Sequence, residues 1–319
     1  MLRRVLITLG GLVVAGIAVA GIGLWQAKRA IAALDPPLPT AEQVLAFDAR
    51  ADLPVHAAWI NTASQRMPRS AVLEPKLDPT PTSPYVMSHP SFVLEWADGR
   101  LFLIDAGMDH DAALAFGRPI EWLSGGDPIQ PIASAAARLG PALARVEGIA
   151  FTHEHVDHTT GVAELCRARS RPLALFQNPL QVRESNFTTR PGQRQLAEAG
   201  CLEPHLLETG PLFAIPRFPG LSFFAAAGHT PGSQVFVAHV RSDGAVRTWI
   251  FTGDVVNQID GVRRNIPKPA FYSAFVVPES TTRLDTVRRF LAELERDHAA
   301  GLLVSHDQLS LEASGIAPY

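Results

Sequence analysis

Within Thr152-His153-Glu154-His155-Val156-Asp157-His158, three imidazoles and a carboxylate fall inside six residues, directly after the short apolar run Gly148-Ile149-Ala150-Phe151. A run of that length and character reads as a buried strand, so the cluster stands at a strand's C-terminal end. In extended backbone, alternate side chains share a face, which turns His153 and His155 the same way and lets both reach one cation. A turn at Asp157 then sends Asp157 and His158 toward a second. A polar loop with incidental histidines is the competing explanation, and four ligand-type side chains at this spacing argue against it. The two cysteines, Cys166 and Cys201, are too few for a thiolate zinc cluster, so a metal here has to be held by imidazole and carboxylate. They either pair or stay free, and no disulfide framework carries the fold.

The rest of the chain repeats one arrangement: an apolar strand delivers a metal-competent residue at its C-terminal end. Residues 221–226 lead into His229, residues 246–251 into Asp254 and residues 302–304 into His306. Alone, either histidine would be an ordinary turn or core residue and Asp254 a turn aspartate; only the first cluster gives them a shared purpose. Leu284, Val287, Leu291 and Leu294 recur at helical spacing, which predicts an amphipathic helix covering a sheet. Upstream, residues 92–96 and 101–104 flank Asp98-Gly99, the signature of a hairpin. Thr40, with Gln43 three residues on, is an N-cap for a short helix ending at Ala46. Residues 131–143 read as a helix and residues 75–90, rich in proline, serine and threonine, as a long surface loop and a candidate border of the site. Residues 178–200 carry no clear pattern. Hairpins first and strand–helix alternation later predict an α+β domain of two packed sheets with helices outside.

The N-terminus has its own message. Residues 5–25 are uncharged, and their number matches the roughly 20 that cross a bilayer as a helix. Arg3 and Arg4 precede the stretch and Lys28 and Arg29 follow, a near balance that the free amino group tips toward a cytoplasmic N-terminus. This predicts a single-pass anchor with the body outside the cytoplasm, in the periplasm, and the lipid bilayer as a partner through residues 5–25. Ala18-Val19-Ala20 keeps a cleaved signal segment open as the alternative. Residues 1–30 are thus the anchor or signal segment, 31–40 a proline-rich linker and 41–319 the globular domain. A net charge of −3, with the basic residues scattered, gives no electrostatic footprint for nucleic acid and leaves a small-molecule substrate.

The cluster resembles the metallo-beta-lactamase superfamily, whose HxHxDH signature is matched at His153, His155, Asp157 and His158. The resemblance continues in Gly228-His229-Thr230-Pro231-Gly232, in Thr252-Gly253-Asp254, in Ser305-His306-Asp307 and in Asp105-Ala106-Gly107. It implies a four-layer αββα sandwich holding two divalent ions, zinc first, with iron or manganese also suited. It places His153, His155 and His229 on one ion, Asp157, His158 and His306 on the other, and Asp254 between them. A metal-bridging hydroxide would then be the nucleophile, with Asp157 as the catalytic group that passes a proton to the leaving atom. Asp105 is expected to support a ligand rather than be one, and Glu154 to be solvated or hydrogen-bonded behind the site. His56, His89, His110, His205, His239 and His298 have no such context and are left outside.

Subgroup positions narrow the reaction. Oxygen-reducing di-iron relatives carry glutamate where this chain has His155, and the antibiotic-cleaving lactamases generally lack the bridging aspartate supplied here by Asp254. What remains is a hydrolase of a small-molecule ester, lactone or thioester, similar to lactonases and to glyoxalase II. The lactonases typically place a tyrosine three residues after the bridging aspartate, where this chain has Asn257. Residues 271–275 either line an apolar acyl pocket or fill the core. Beta-lactamase-type amide hydrolysis and a non-catalytic, metal-stabilised, membrane-tethered binding module are the alternatives.

Overall fold

The computed structural model describes residues 2–207 and 210–319; the side chains of residues 2–14, 17, 123 and 124 lie outside that description. The larger sheet has eight strands among the described residues. They are β1 (His56–Pro68), β2 (Pro84–Glu95), β3 (Leu101–Ile104), β4 (Gln130–Pro131), β5 (Val146–Ala150), β6 (Leu173–Gln177), β7 (Leu202–Leu206) and the last strand, β13 (Ala317–Pro318). Their order is β13-β1-β2-β3-β5-β6-β7, with β4 on β1. The smaller sheet comprises β8 (Phe213–Ala214), β9 (Leu221–Ala225), β10 (Gln234–Ser242), β11 (Ala245–Phe251) and β12 (Gly301–Leu303), ordered β12-β11-β10-β9-β8.

Aromatic side chains weld the two sheets. Phe92, Phe102 and Phe176 of the larger sheet meet Phe223, Phe236 and Phe251 of the smaller, and the Phe92 and Phe251 rings stand edge to face at 4.9 Å. Burying each such ring contributes roughly 1.5–3 kcal/mol. The outer face of the smaller sheet is covered by the expected amphipathic helix, α10 (Thr281–His298), through Leu284, Val287, Leu291 and Leu294. On the far face of the larger sheet lie α4 (Ala135–Leu139), α6 (Val162–Arg167) and α8 (Arg190–Glu198), which contribute Leu139, Leu165 and Leu196. The layers run αββα, as the sequence predicts.

Several local expectations are corrected. The Asp98-Gly99 hairpin forms with Phe92 opposite Ile104, but its first strand starts at Pro84, so the surface loop is confined to residues 75–83. Tyr85 and Met87 alternate inward against Met67, and that packing overrides the proline-rich composition. The helix expected over 131–143 is only α4, because Gly140 adopts φ +49° and Pro141 cannot donate to a continuing helix. It passes into a tighter turn over Gly140–Arg145. Three long elements had no expectation: β1, α3 (His110–Ser124) and β10. The unassigned residues 178–200 contain α7 (Pro179–Arg183) and α8.

At the N-terminus the chain forms one helix, α1 (Leu2–Ala32). Among the described residues no helix is long and apolar enough to cross a membrane; much of the expected span, the side chains of residues 5–14 and 17, lies outside the description. The proline-rich joint is not a free spacer. Arg283 of α10 binds the Asp35 carboxylate at 2.7 Å and donates to the Pro36 carbonyl, and Leu38 packs beside the core of the smaller sheet. The Thr40–Gln43 capping box is present on α2 (Ala41–Leu45).

Cys166 and Cys201 are joined, tying α6 to the start of β7 across 35 residues. A loop of that size restricts the unfolded chain by roughly 3–4 kcal/mol. Reduction, or the double change Cys166→Ser/Cys201→Ser, should therefore lower the urea midpoint by about 3 kcal/mol of stability in a denaturation curve; an unmoved midpoint would show that the bond contributes nothing.

Candidate metal centre

Four strand ends converge on one buried spot at the seam between the sheets. The end of β5 supplies His153 and His155, and the one-turn helix α5 (Val156–Thr159) supplies Asp157 and His158. His229 follows β9, Asp254 follows β11 and His306 follows β12. All seven side chains expected from the sequence are brought together, none more than 8% exposed. Around His155 Nδ1 stand His153 Nε2 at 3.0 Å and His229 Nε2 at 3.1 Å. Asp254 lies in the middle: Oδ2 is 3.5 Å from His229 Nε2 and 3.0 Å from His306 Nε2, and Oδ1 is 3.4 Å from His158 Nε2. Asp157 Oδ2 is 3.4 Å from His306 Nε2.

The hydrogen-bond network settles which nitrogens carry protons. Thr188 gives its one hydroxyl hydrogen to Asn186, so its oxygen accepts from His155 Nε2–H at 2.8 Å and leaves His155 Nδ1 bare. Thr152 donates to Asp105 and thus accepts from His153 Nδ1–H at 3.2 Å, baring His153 Nε2. His229 Nδ1–H donates to Glu279 at 2.6 Å, baring its Nε2. Three lone pairs therefore face one another at hydrogen-bond distance with no proton among them, an arrangement that repels unless a cation sits at its centre. The second half obeys the same logic. His158 Nδ1–H donates to Asp105 at 2.8 Å and His306 Nδ1–H to the Ser88 carbonyl at 2.7 Å. Their Nε2 atoms face the carboxylates: His306 Nε2 lies 3.0 Å from Asp254 Oδ2, and neither His158 Nε2 nor Asp254 Oδ1 has a hydrogen-bond partner. The donor set fits two divalent cations, with imidazole and carboxylate on both.

Electrostatics agree. Burial, reinforced by His229, pushes His155 down to about 3, and burial likewise lowers His153 and His229. These rings are neutral, as ligands must be. Burial works against ionisation of Asp157 and Asp254, yet the surrounding imidazoles hold both carboxyls below their usual range. Burial also lowers His158, but Asp105, Asp157 and Asp254 outweigh it and raise the ring well above its usual value. In place of a cation, that pocket of negative charge draws a proton.

Local backbone fixes these positions. Asp105 sits at φ +63° at the end of β3, fully buried, with Thr152 N–H, Thr152 Oγ1 and His158 Nδ1 all donating to its carboxylate. Its expected supporting role holds. Gly253 adopts φ +51°, and a Cβ there would stand 2.7 Å from Thr152 Cβ, so only glycine lets the Asp254 turn close on the first cluster. Glu154 takes the second of its two expected forms: it is buried, accepts from Gln177 at 2.9 Å, and burial raises it to about 7.

Sequence reasoning missed three functional-site groups. Lys268 Nζ, deeply buried, donates to Glu279 at 2.7 Å and to the Asp254 carbonyl at 2.6 Å, and Ser273 donates to the other oxygen of Glu279. Burial opposes ionisation of Glu279, but Lys268 and His229 hold it down at about 2. His89 is the third: buried at 1% exposure, it stands against Asp157 and His306, contrary to its exclusion. Burial lowers it to about 4. His56, His110, His205 and His298 are exposed and His239 bonds Thr248, all away from the cluster. No local pattern in the sequence marks Lys268 or Glu279, because they act only through His229 and Asp254. Glu279→Gln should weaken metal binding by about 10–100-fold, the usual effect of losing a partner behind a ligand; competition with a chelating dye reads it, and undiminished affinity would reject the orienting role.

The model for the Metallo-beta-lactamase superfamily matches residues 84–297, more than half of the chain. No curated protein matches it in sequence. Among solved structures, an N-acyl homoserine lactone hydrolase with the product N-hexanoyl-L-homoserine bound at its catalytic metal centre superimposes with a TM-score of 0.57 at 16% identity, covering 82% of this chain and 96% of that one. A dizinc quorum-quenching lactonase, AidC, in complex with a product gives 0.51 at 14% identity, covering 80% and 92%. A probable metal-dependent hydrolase from Staphylococcus aureus gives 0.54 at 12% identity, covering 81% and 91%. At these identities the likenesses speak for the fold, and the family match spans six of the seven residues that build the site, all but His306: this chain belongs to the metallo-beta-lactamase superfamily.

Proposed function

We propose that this chain is a dinuclear metal-dependent hydrolase that opens an ester, lactone or thioester bond in a small molecule with an apolar acyl part. The observation that carries the reading is the convergence of five imidazoles and two carboxylates on one buried spot, of which His155, Asp157, Asp254 and His306 line an apolar cavity. His153, His155 and His229 would hold one ion, Asp157, His158 and His306 the other, and Asp254 would be shared. When bound, zinc or a similar divalent pair supplies an activated water near neutral pH and a Lewis acid for the carbonyl.

The chain's own groups do the rest. The cavity, about 760 Å³, has Met67, Val72, Met87, Phe116 and Ile120 in its walls and His155, Asp157, Asp254 and His306 beneath them. That volume suits a drug-sized ligand, and the apolar walls would seat the acyl group and exclude bulk water. Asp157, at the floor, is placed to hold a proton and hand it to the departing oxygen or sulfur. Asn257 stands where the lactonases place tyrosine, but Tyr272 lines the same cavity as Asn257. Burial first, and then the charges of Glu279, Asp254 and Asp157, raise the Tyr272 phenol well above 10, so it stays protonated and can donate to a carbonyl oxygen. Phe271 and Phe275 are exposed, their rings 5.3 Å apart, with Phe271 on the cavity wall, so neither fills the core. The solved acyl-homoserine lactone hydrolases that share the fold support an acyl substrate of this kind.

Turnover of a panel comprising a chromogenic lactone, ester and thioester together with nitrocefin, with and without chelator, tests the reading. Chelator-sensitive hydrolysis of one of the first three is expected, with kcat lowered about 10²-fold in Tyr272→Phe, the usual cost of one oxyanion donor. Silence across the panel with metal fully loaded would defeat the hydrolase, and activity on nitrocefin alone would move the assignment to amide cleavage.

The same reading places the domain outside the cytoplasm, tethered through residues 5–25 to the membrane. The Cys166–Cys201 bond supports it, since such bonds persist in oxidising compartments. Membrane fractionation of the full chain and of a form lacking residues 1–30 decides: the full chain should sediment with membranes and the shortened one should not, and a soluble full chain would reject the tether.

A further inference from the structure

His89 occupies the middle of β2, and the alternation of that strand aims it at the centre: Met87, two residues earlier on the same face, lines the cavity above the cluster. The preceding residue is already committed, its carbonyl accepting from His306 Nδ1. His89 Nδ1 stands 3.4 Å from Asp157 Oδ2, long for a hydrogen bond, and its ring meets the His306 ring edge to face at 5.0 Å. Neither ring nitrogen of His89 has a hydrogen-bond partner, although the residue is 1% exposed. Buried imidazoles are almost always satisfied, so one whose polar contact is no better than this long approach to Asp157, beside two metal-competent groups, needs a reason. One ligand atom from each of His89, Asp157 and His306 lies within 4.8 Å of the others, the spacing of donors around one cation.

We infer that His89 is a further ligand of the second ion, joining Asp157, His158, Asp254 and His306. The inference rests on the two-ion reading proposed above. It makes the two positions unequal. The first has three imidazoles and a share of Asp254; the second has three imidazoles and two carboxylates, one donor beyond the four of a tetrahedral zinc site. Five protein donors plus a solvent position suit an ion that takes six ligands, such as manganese or iron, better than zinc. The chain would then sort its metals, with zinc favoured at the first position and a six-coordinate ion at the second.

Cobalt(II) titration of the full metal-free chain tests this, because its visible absorption is weak at five- or six-coordinate sites and strong at four-coordinate ones. The wild-type chain should take two equivalents, the second adding little absorption. His89→Ala and His89→Asn should leave the first equivalent unchanged, weaken the second by at least about 10-fold and raise its absorption. Two equivalents bound with wild-type affinity and spectrum in both variants would overturn the assignment. A wild-type chain that takes only one equivalent would instead overturn the two-ion reading, and this inference with it. If neither variant folds, anomalous scattering from crystals of the manganese-loaded wild-type chain decides: an ion at ligand distance from a His89 nitrogen supports the assignment, and one out of its reach ends it.

Discussion

Everything in this molecule defers to three imidazole lone pairs that face one another within about a hydrogen bond's length: His153 Nε2, His155 Nδ1 and His229 Nε2. Left to themselves they repel. Each is held in place by a bond on the far side of its ring, to Thr152, Thr188 and Glu279, and each of those anchors is itself tied down. Thr152 leans on Asp105, Thr188 on Asn186, and Glu279 on Lys268 and Ser273. The fold thus stores an arrangement that is unfavourable alone and favourable around a cation, which is what preorganisation of a metal centre means in energetic terms.

The route by which a chain assembles such a spot is simple. Strands of both sheets end at the same edge of the sandwich, and each end hands over one or two donors: Asp105 from β3, His153 and His155 from β5, His229 from β9, Asp254 from β11, His306 from β12. The strands are rigid and buried, so the donors inherit the precision of the ladder, while the turns between them absorb the strain. Asp105, a non-glycine residue at positive φ, is where that strain is stored, while Gly253 takes its positive φ without it.

How much of this the sequence disclosed follows from locality. The seven central residues were legible because four of them are packed into one heptapeptide and the other three each close an apolar run. The amphipathic α10 and the Asp98-Gly99 hairpin were legible for the same reason, a strong short-range period. What failed was whatever depends on distant partners. The strand β1 hides behind Asn61, Thr62, Ser64, Gln65 and Arg66 and a register shift between Asn61 and Ser64. Its polar residues are tolerated because others answer them: Thr62 donates to the His89 carbonyl and Gln65 to Gly117 and Asp127. His89 sits among prolines and serines with no local pattern, and its neighbours Asp157 and His306 arrive far later in the chain. Lys268 and Glu279 touch the centre only at second hand, so no spacing could reveal them.

The seam position of the centre has a mechanical consequence. His153, His155, Asp157 and His158 ride on one sheet, while His229, Asp254 and His306 ride on the other. A cation held by both groups is therefore a rivet through the sandwich, and the aromatic layer of Phe92, Phe236 and Phe251 beneath it is the hinge plate that keeps the two leaves aligned. Without a cation there, the leaves would be free to slide first at this edge, so loosening would begin at the mouth of the cavity, while the rest of the sandwich stayed shut.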